Sequence, residues 1–274
     1  MPQTVRTVEV DDVGAVSLTV EEDGDRGQTC LLLHPGAGPE PMLGFGGMLA
    51  SRGMRVLVPT HPGFNGTDRP EGLATVRDLA RLYAAYLAVL RIGDVVVIGN
   101  SIGGWIATEL GLLHSPWVGR LVLVDSVGFD DPANPEADTR PMTAEELISI
   151  AFHDPGPALQ AISNAPESQR QRRAANNEVN YSYTPQRTDP TLAGRLSELG
   201  ELPVLLLWGE SDGVVTPAAG RSFASAIPGA EFRLLEGTGH MPEVETPELL
   251  YDAIFGDVAK QGLPAYPIQT GGNL

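Results

Sequence analysis

Cysteine, positive charge and long apolar runs are all scarce in this chain, and each shortage excludes something. Cys30 is the only cysteine among 274 residues, so no intramolecular disulfide can form and a reducing compartment suffices. Inside TCLLLH it reads as a small core residue. Lys and Arg total 18 against 35 Asp and Glu, a net charge of −17. Such a surface suits neither nucleic acid nor an anionic membrane and reads as a solvated acidic exterior. No apolar run reaches the roughly 18 residues of a membrane span. The opening MPQTVRTVEV lacks the basic-then-apolar layout of a secretory signal, and a cytoplasmic protein is expected. There is no HExxH zinc motif, no complete nucleotide-binding signature and no internal repeat. Neither a metal nor a cofactor is expected.

Alternation of short apolar runs with helical patterns is what the chain has instead. TVRTVEV and GAVSLTVEE read as strands with turn residues between them. TCLLLH (29–34), RVLVPT (55–60), DVVVIG (94–99) and GRLVLVDS (119–126) are continuous apolar runs, as in strands buried on both faces. Helical spacing is expected over about 41–52, 75–90 and 102–114. Residues 127–200 break the alternation with Pro-rich and polar pieces, expected to form short helices and loops. Alternation resumes with LPVLLLWGE (202–210), a helix near 217–226, AEFRLLEG (230–237) and a helix near 246–259. GLPAYPIQTGGNL at the end reads as a loosely held tail. This layout predicts an α/β fold, a mostly parallel sheet flanked by helices. The irregular middle is expected to lie as a lid over the carboxyl ends of the strands, where open parallel sheets bind their ligands.

The seam Gly99-Asn100-Ser101-Ile102-Gly103 joins a strand to a helix. A serine there can sit on a sharp turn with its hydroxyl lifted above the sheet edge. Glycine two residues before and two after removes side-chain carbons that would collide. The N–H of Ile102, at a helix N-terminus, is placed to stabilise a developing negative charge. The competing reading is a plain helix N-cap serine.

A serine hydroxyl needs a base. Of the five histidines, His240 follows the last apolar run in a loop at the same edge as Ser101 and is the candidate base. His114 lies at the far end of the helix after Ser101, and His153 lies in the insertion. The carboxylate that orients the base is assigned to Asp212, after VLLLWGES, with Asp125 and Glu210 as rivals. A second oxyanion donor is expected from the loop after LLLH. Pro35 has no N–H, which leaves Gly36 or Ala37, Gly36 being preferred. His34 is read as a brace for that loop. Pocket walls are sought at Ala37, Gly38, Phe64, Phe129, Phe152, Tyr181 and Tyr183, while Trp105, on the elbow helix, is read as core. The basic island QRQRR (169–173) reads as a solvated helix face or an anion contact.

With HPGAG, HPGFNGT, GNSIGG, WGESDGVVTP and GTGHMPEVETPE in this order, the chain resembles the α/β-hydrolase superfamily over nearly its whole length. The resemblance implies an eight-stranded sheet with a helical cap between strands six and seven. That places a core in 1–127 and 201–262, a cap in 128–200 and a tail in 263–274. It also implies a serine hydrolase that cleaves a small-molecule carboxylic ester, lactone or thioester through an acyl-enzyme on Ser101. Alternatives on the same fold are C–C bond hydrolysis, a lyase or rearrangement, and a ligand-binding receptor. Small acyl compounds are the expected partners, and a homodimer is open. Two motifs depart from the common pattern. The oxyanion turn reads His34-Pro35-Gly36 where many relatives have His-Gly. His61 stands where an aspartate is usual, and it is taken as structural.

Overall fold

Strand formation follows the apolar runs. The structure, a computed structural model, describes residues 1–260; the expected tail (263–274) and residues 261–262 of the expected core lie outside the described residues. The strands are β1 (Gln3–Val10), β2 (Gly14–Asp23), β3 (Thr29–Leu33), β4 (Arg55–Pro59), β5 (Val95–Asn100), β6 (Val118–Val124), β7 (Val204–Gly209) and β8 (Glu231–Leu235). They form one eight-stranded sheet in the order β1-β2-β4-β3-β5-β6-β7-β8. β2 pairs antiparallel with β1 and β4, and every other pairing is parallel. This is the α/β-hydrolase fold, and the sheet matches the strand count that the resemblance implied.

The helices are α1 (Glu40–Ser51), α2 (Val76–Leu90), α3 (Ile102–Leu112), α4 (Ala144–Ala151), α5 (Pro155–Ser163), α6 (Glu167–Tyr183), α7 (Pro217–Ala226), α8 (Pro242–Glu245) and α9 (Pro247–Lys260). Because strand side chains alternate between faces, the central runs fill two cores at once. Leu31, Leu33, Val95, Val97, Leu121, Leu123, Leu206 and Trp208 meet α2, α3 and α7 on one face. Cys30, Leu32, Val96, Ile98, Val122, Val124, Leu205 and Leu207 meet α1 and α9 on the other. Cys30 is fully buried, and burial pushes its thiol up to about 12, so it packs as a small apolar residue and is chemically inert. α2 starts at a capping box in which Thr75 and Asp78 each accept from the other's backbone N–H.

Between β6 and β7 the chain forms α4, α5, α6 and a 3₁₀ stretch, Ala193–Leu199. α4 has its own capping box, Thr143 with Glu146. Its last turn docks on the carboxyl edge of the sheet: Gly213 N–H donates to Ile150 O (2.9 Å) and His240 N–H donates to Ala151 O (2.6 Å). Further along, Arg195 makes a two-pronged contact with the buried Glu109 of α3 at 2.9 and 2.6 Å, geometry that suits guanidinium and carboxylate. The basic island lies on the exposed side of α6, where Arg170 pairs with Glu167 and Arg172 approaches Glu40. Among the described residues, no helix is long and apolar enough to cross a membrane.

Candidate active site

Ser101 occupies the turn between β5 and α3 with φ 55° and ψ −119°, a strained backbone for a residue with a side chain. Its hydroxyl makes no N-cap hydrogen bond, so the plain capping role does not apply. The flanking glycines explain how the turn is tolerated. A Cβ at Gly99 would stand 2.1 Å from Gly103 O, and one at Gly103 would stand 2.0 Å from Leu33 O. Ser101 N–H donates to Val124 O at 3.0 Å, which ties the elbow to the end of β6. Ile102 carries the first N–H of α3, one that the helix leaves without an internal partner.

His240 is buried, and its Nδ1 lies 2.8 Å from Asp212 Oδ2. A carboxylate only accepts, so Nδ1 holds the hydrogen and Nε2 is left free as a base. Asp212 Oδ1 accepts from Val214 N–H (2.8 Å) and Val215 N–H (3.0 Å), which fixes the carboxylate. Burial pulls the His240 pKa down, but the charge and hydrogen bond of Asp212 outweigh it, with help from Glu243 and Glu136, and the net value lies above the usual histidine range. Of the rival acids, Glu210 instead accepts from Gly237 N–H, and Asp125 accepts from Gly209 N–H at 2.8 Å behind Asp212. Asn100, just before the serine, donates from Nδ2 to His240 O at 2.9 Å. The elbow and the histidine loop are thereby joined directly.

The loop after β3 rests on two stacked imidazoles. His34 and His61 have ring centroids 3.6 Å apart and are fully buried. His61 N–H donates to His34 Nε2 (2.9 Å), so His34 Nδ1 carries hydrogen and donates to Pro35 O (2.7 Å). His61 Nε2 donates to His34 O (3.0 Å), and its Nδ1 accepts from the Tyr83 hydroxyl (2.5 Å). Every ring nitrogen therefore has one consistent role. Burial pushes the His34 pKa down to about 3 and that of His61 well below its usual value. Both rings are neutral struts that hold the His34–Pro35 backbone just before Gly36.

A cavity of about 80 Å³ opens at Ser101 and Ile102, walled on the insertion side by Glu136, Arg140, Asn180, Tyr181 and Arg187. Burial pushes the Glu136 carboxyl up to about 7, against the hydrogen bond it accepts from Gly128 N–H at 2.6 Å.

A profile of the alpha/beta hydrolase family matches residues 31–253. The chain belongs to the α/β hydrolase family. It is 27% identical over 240 residues to 2-hydroxymuconate semialdehyde hydrolase of Pseudomonas putida, a match spanning 82% of this chain and 85% of that protein. Among solved structures it superposes on a thermophilic esterase from Thermogutta terrifontis (TM-score 0.73, 23% identity, 94% of this chain and 98% of that one). It also superposes on a meta-cleavage product hydrolase from Pseudomonas fluorescens IP01 (TM-score 0.70, 20% identity, 93% and 98%).

In this α/β hydrolase the expected pocket walls disperse. Tyr181 lines the cavity beside Ser101. Phe64 is fully buried and packs edge-on to His34 and His61. Phe129 stacks on Phe223, at 4.8 Å between centroids. Phe152 closes α4 and packs against the core. Tyr183 is buried, with its hydroxyl donating to Pro62 O and Arg69 over its ring. Ala37 and Gly38 face α6: Asn176 Nδ2 donates to Ala37 O at 3.1 Å, and a Cβ at Gly38 would stand 2.6 Å from that nitrogen. Apart from Tyr181, the aromatics named as pocket walls bury their large apolar area in the core and in the contact between insertion and sheet.

The insertion-side wall of the hydrolase's cavity is mostly polar, while Ile102, Val127, Ala137 and Val214 supply apolar lining; several polar residues around the site were not among those expected. Asn176 and Asn180 lie one turn apart on α6, so both reach the Gly36–Gly38 loop; the Asn180 amide packs 2.7 Å from where a Gly36 Cβ would be. Glu245 accepts from Gly239 N–H (2.7 Å) and Asp154 N–H (3.1 Å), bridging the histidine loop to the insertion. The available signals were the NNEVN run in a very polar helix and a polar Asn100 closing an all-apolar strand. Nothing in the sequence marked Glu136 or Glu245. His153 contacts Ser211 Oγ at 2.8 Å, and His114 lies just past the C-cap of α3.

Proposed function

We propose that this α/β hydrolase cleaves a small-molecule carboxylic ester, lactone or thioester through an acyl-enzyme on Ser101. The observation that carries the reading is Ser101 itself, held at φ 55° on the strand–helix turn with a hydroxyl not used for capping. His240 Nε2 takes the Ser101 proton as the oxygen attacks the acyl carbon. The N–H groups of Ile102 and of Gly36 or Ala37 receive the tetrahedral oxyanion. The imidazolium, steadied by Asp212, then gives its proton to the departing alcohol or thiol. Water repeats the sequence on the acyl-enzyme, with His240 as base, and releases the acid and the free serine. Residues 128–200 serve as a cap, and their polar wall favours acyl groups that carry hydrogen-bonding or charged substituents.

A second reading is C–C bond hydrolysis. It is favoured by the match to a protein named 2-hydroxymuconate semialdehyde hydrolase and by Arg140 and Arg187 beside the cavity, which suit an anionic substrate. Turnover on p-nitrophenyl esters, lactones, thioesters and vinylogous diketones separates the two. Ser101→Ala is expected to lower turnover by about 10³–10⁶-fold with the fold intact and to abolish labelling by a fluorophosphonate. Full activity in that variant would end the serine mechanism.

A further inference from the structure

Behind the His240–Asp212 pair lies a second aspartate that the proposed chemistry does not use. Asp125 follows β6, next to β7, with its backbone at φ 45° and its side chain completely buried. Its N–H donates to Leu207 O at 3.0 Å, and its Oδ1 accepts from Gly209 N–H at 2.8 Å. Its Oδ2 is buried and receives no donor among the described residues. One oxygen of Asp125, one of Asp212 and a ring nitrogen of His240 lie within 4.8 Å of one another. A buried acceptor facing another acceptor is costly unless a proton lies between them.

Lone-pair accounting shows where that proton belongs. Asp212 Oδ1 is filled by two backbone donors, while Oδ2 takes one from His240 and has room for one more. Asp125 needs a role for Oδ2. We propose that Asp125 is a positioning residue, kept in its neutral acid form, whose Oδ2–H donates to Asp212 and so extends the Ser101–His240–Asp212 array to a fourth side chain.

The surrounding charges agree. The charged groups acting on Asp125 are the acids Asp212 and Glu243, and the His240 imidazole lies within 4.8 Å. Burial, and then the charge of Asp212, drive the Asp125 carboxyl well above its ordinary range. One imidazolium can offset one carboxylate, so Asp212 keeps the charge and Asp125 keeps the proton. A neutral donor then steadies Asp212 without adding a negative charge beneath the histidine. The role rests on the proposed serine mechanism; the protonation state does not.

Infrared spectroscopy of protein carrying ¹³C in its aspartate carboxyls tests the proton without turnover. Wild type at pH 7 is expected to show the C=O band of a neutral aspartic acid, absent in Asp125→Asn. A spectrum lacking that band in wild type overturns the proposal. For the role, Asp125→Ala is expected to lower kcat by about 10- to 100-fold, the worth of one hydrogen bond to a charged group, with KM unchanged. Asp125→Asn keeps an acceptor for Gly209 and a donor for Asp212 and is expected to return most of that loss. The acid limb of kcat/KM should stay in place in Asp125→Asn. A downward move of about one unit or more would mean that Asp125 had carried charge beside His240 and would refute the proposal. If Asp125→Ala fails to fold, the band and the acid limb of Asp125→Asn still decide. If Ser101→Ala stays active, the serine reading fails while the band still reports the proton.

Discussion

A single methyl group at Gly99 tests the elbow most directly. That carbon would fall 2.1 Å from Gly103 O, 2.3 Å from Gly103 C and 2.7 Å from Gly104 N, all backbone atoms. Non-bonded carbon contacts settle near 3.5–4.0 Å, so β5 and the first turn of α3 must separate by roughly 1 Å. No side-chain rotation can relieve the clash, and Ser101 N–H is held on Val124 O. Overpacking costs about 1–3 kcal/mol, and a rigid backbone contact belongs at the upper end. For a chain of this size that predicts a fall in Tm of roughly 6–12 °C. A displacement of about 1 Å at the nucleophile adds a loss near 10²-fold in turnover. Gly47→Ala in α1 is the control: its Cβ would meet nothing within 4 Å, and helix propensity favours alanine by about 1 kcal/mol. Thermal melts and p-nitrophenyl acetate turnover read both variants. An unchanged Tm with undiminished turnover in Gly99→Ala would refute the steric account of the motif.

Three further outcomes are expected. Asp212→Asn should lower kcat by about 10⁴-fold by allowing the wrong His240 tautomer, and a larger loss in Asp125→Asn than in Asp212→Asn would reverse the choice of acid. His34 is held neutral, with its folded pKa depressed to about 3. Its contribution is present above pH 6.5 and is lost as pH falls from there through the folded value, on the order of 5 kcal/mol in all; urea midpoints of His34→Gln should be less pH-dependent than wild type in that window, and parallel curves would argue against it. Glu243 is buried, neither of its oxygens has a hydrogen-bond partner among the described residues, and its folded pKa is raised to about 7. Its contribution is present below the ordinary glutamate range and is lost as pH rises through 7, so Glu243→Gln should gain stability over wild type at pH 8, on the order of 3 kcal/mol, and little at pH 4.

Much of the frame was legible because the controlling physics is local. Runs such as TCLLL and VLLLWG bury both strand faces, so their apolar continuity betrayed them. Gly99 and Gly103 mark a crowded turn in the sequence itself. Of the aromatics sought as pocket walls, Tyr181 lines the cavity, while Phe64, Phe129 and Tyr183 make packing contacts with partners far along the chain. Asn176, Asn180 and Glu136 escaped notice because their aim depends on how α6 and the 128–140 segment sit over the sheet.

Sequence by itself determined the alternation of strands and helices, the sharp turn at Ser101 and the loops that carry Asp212 and His240, since each follows from periodicity, glycine sterics or chain order. Tertiary structure alone decided the 2.8 Å contact between His240 and Asp212, the stacking of His34 on His61 and the burial of Asp125 against Asp212. Those depend on which strands pair and in what register, and Val124 lies opposite Leu207 only because β6 and β7 are neighbours in the sheet.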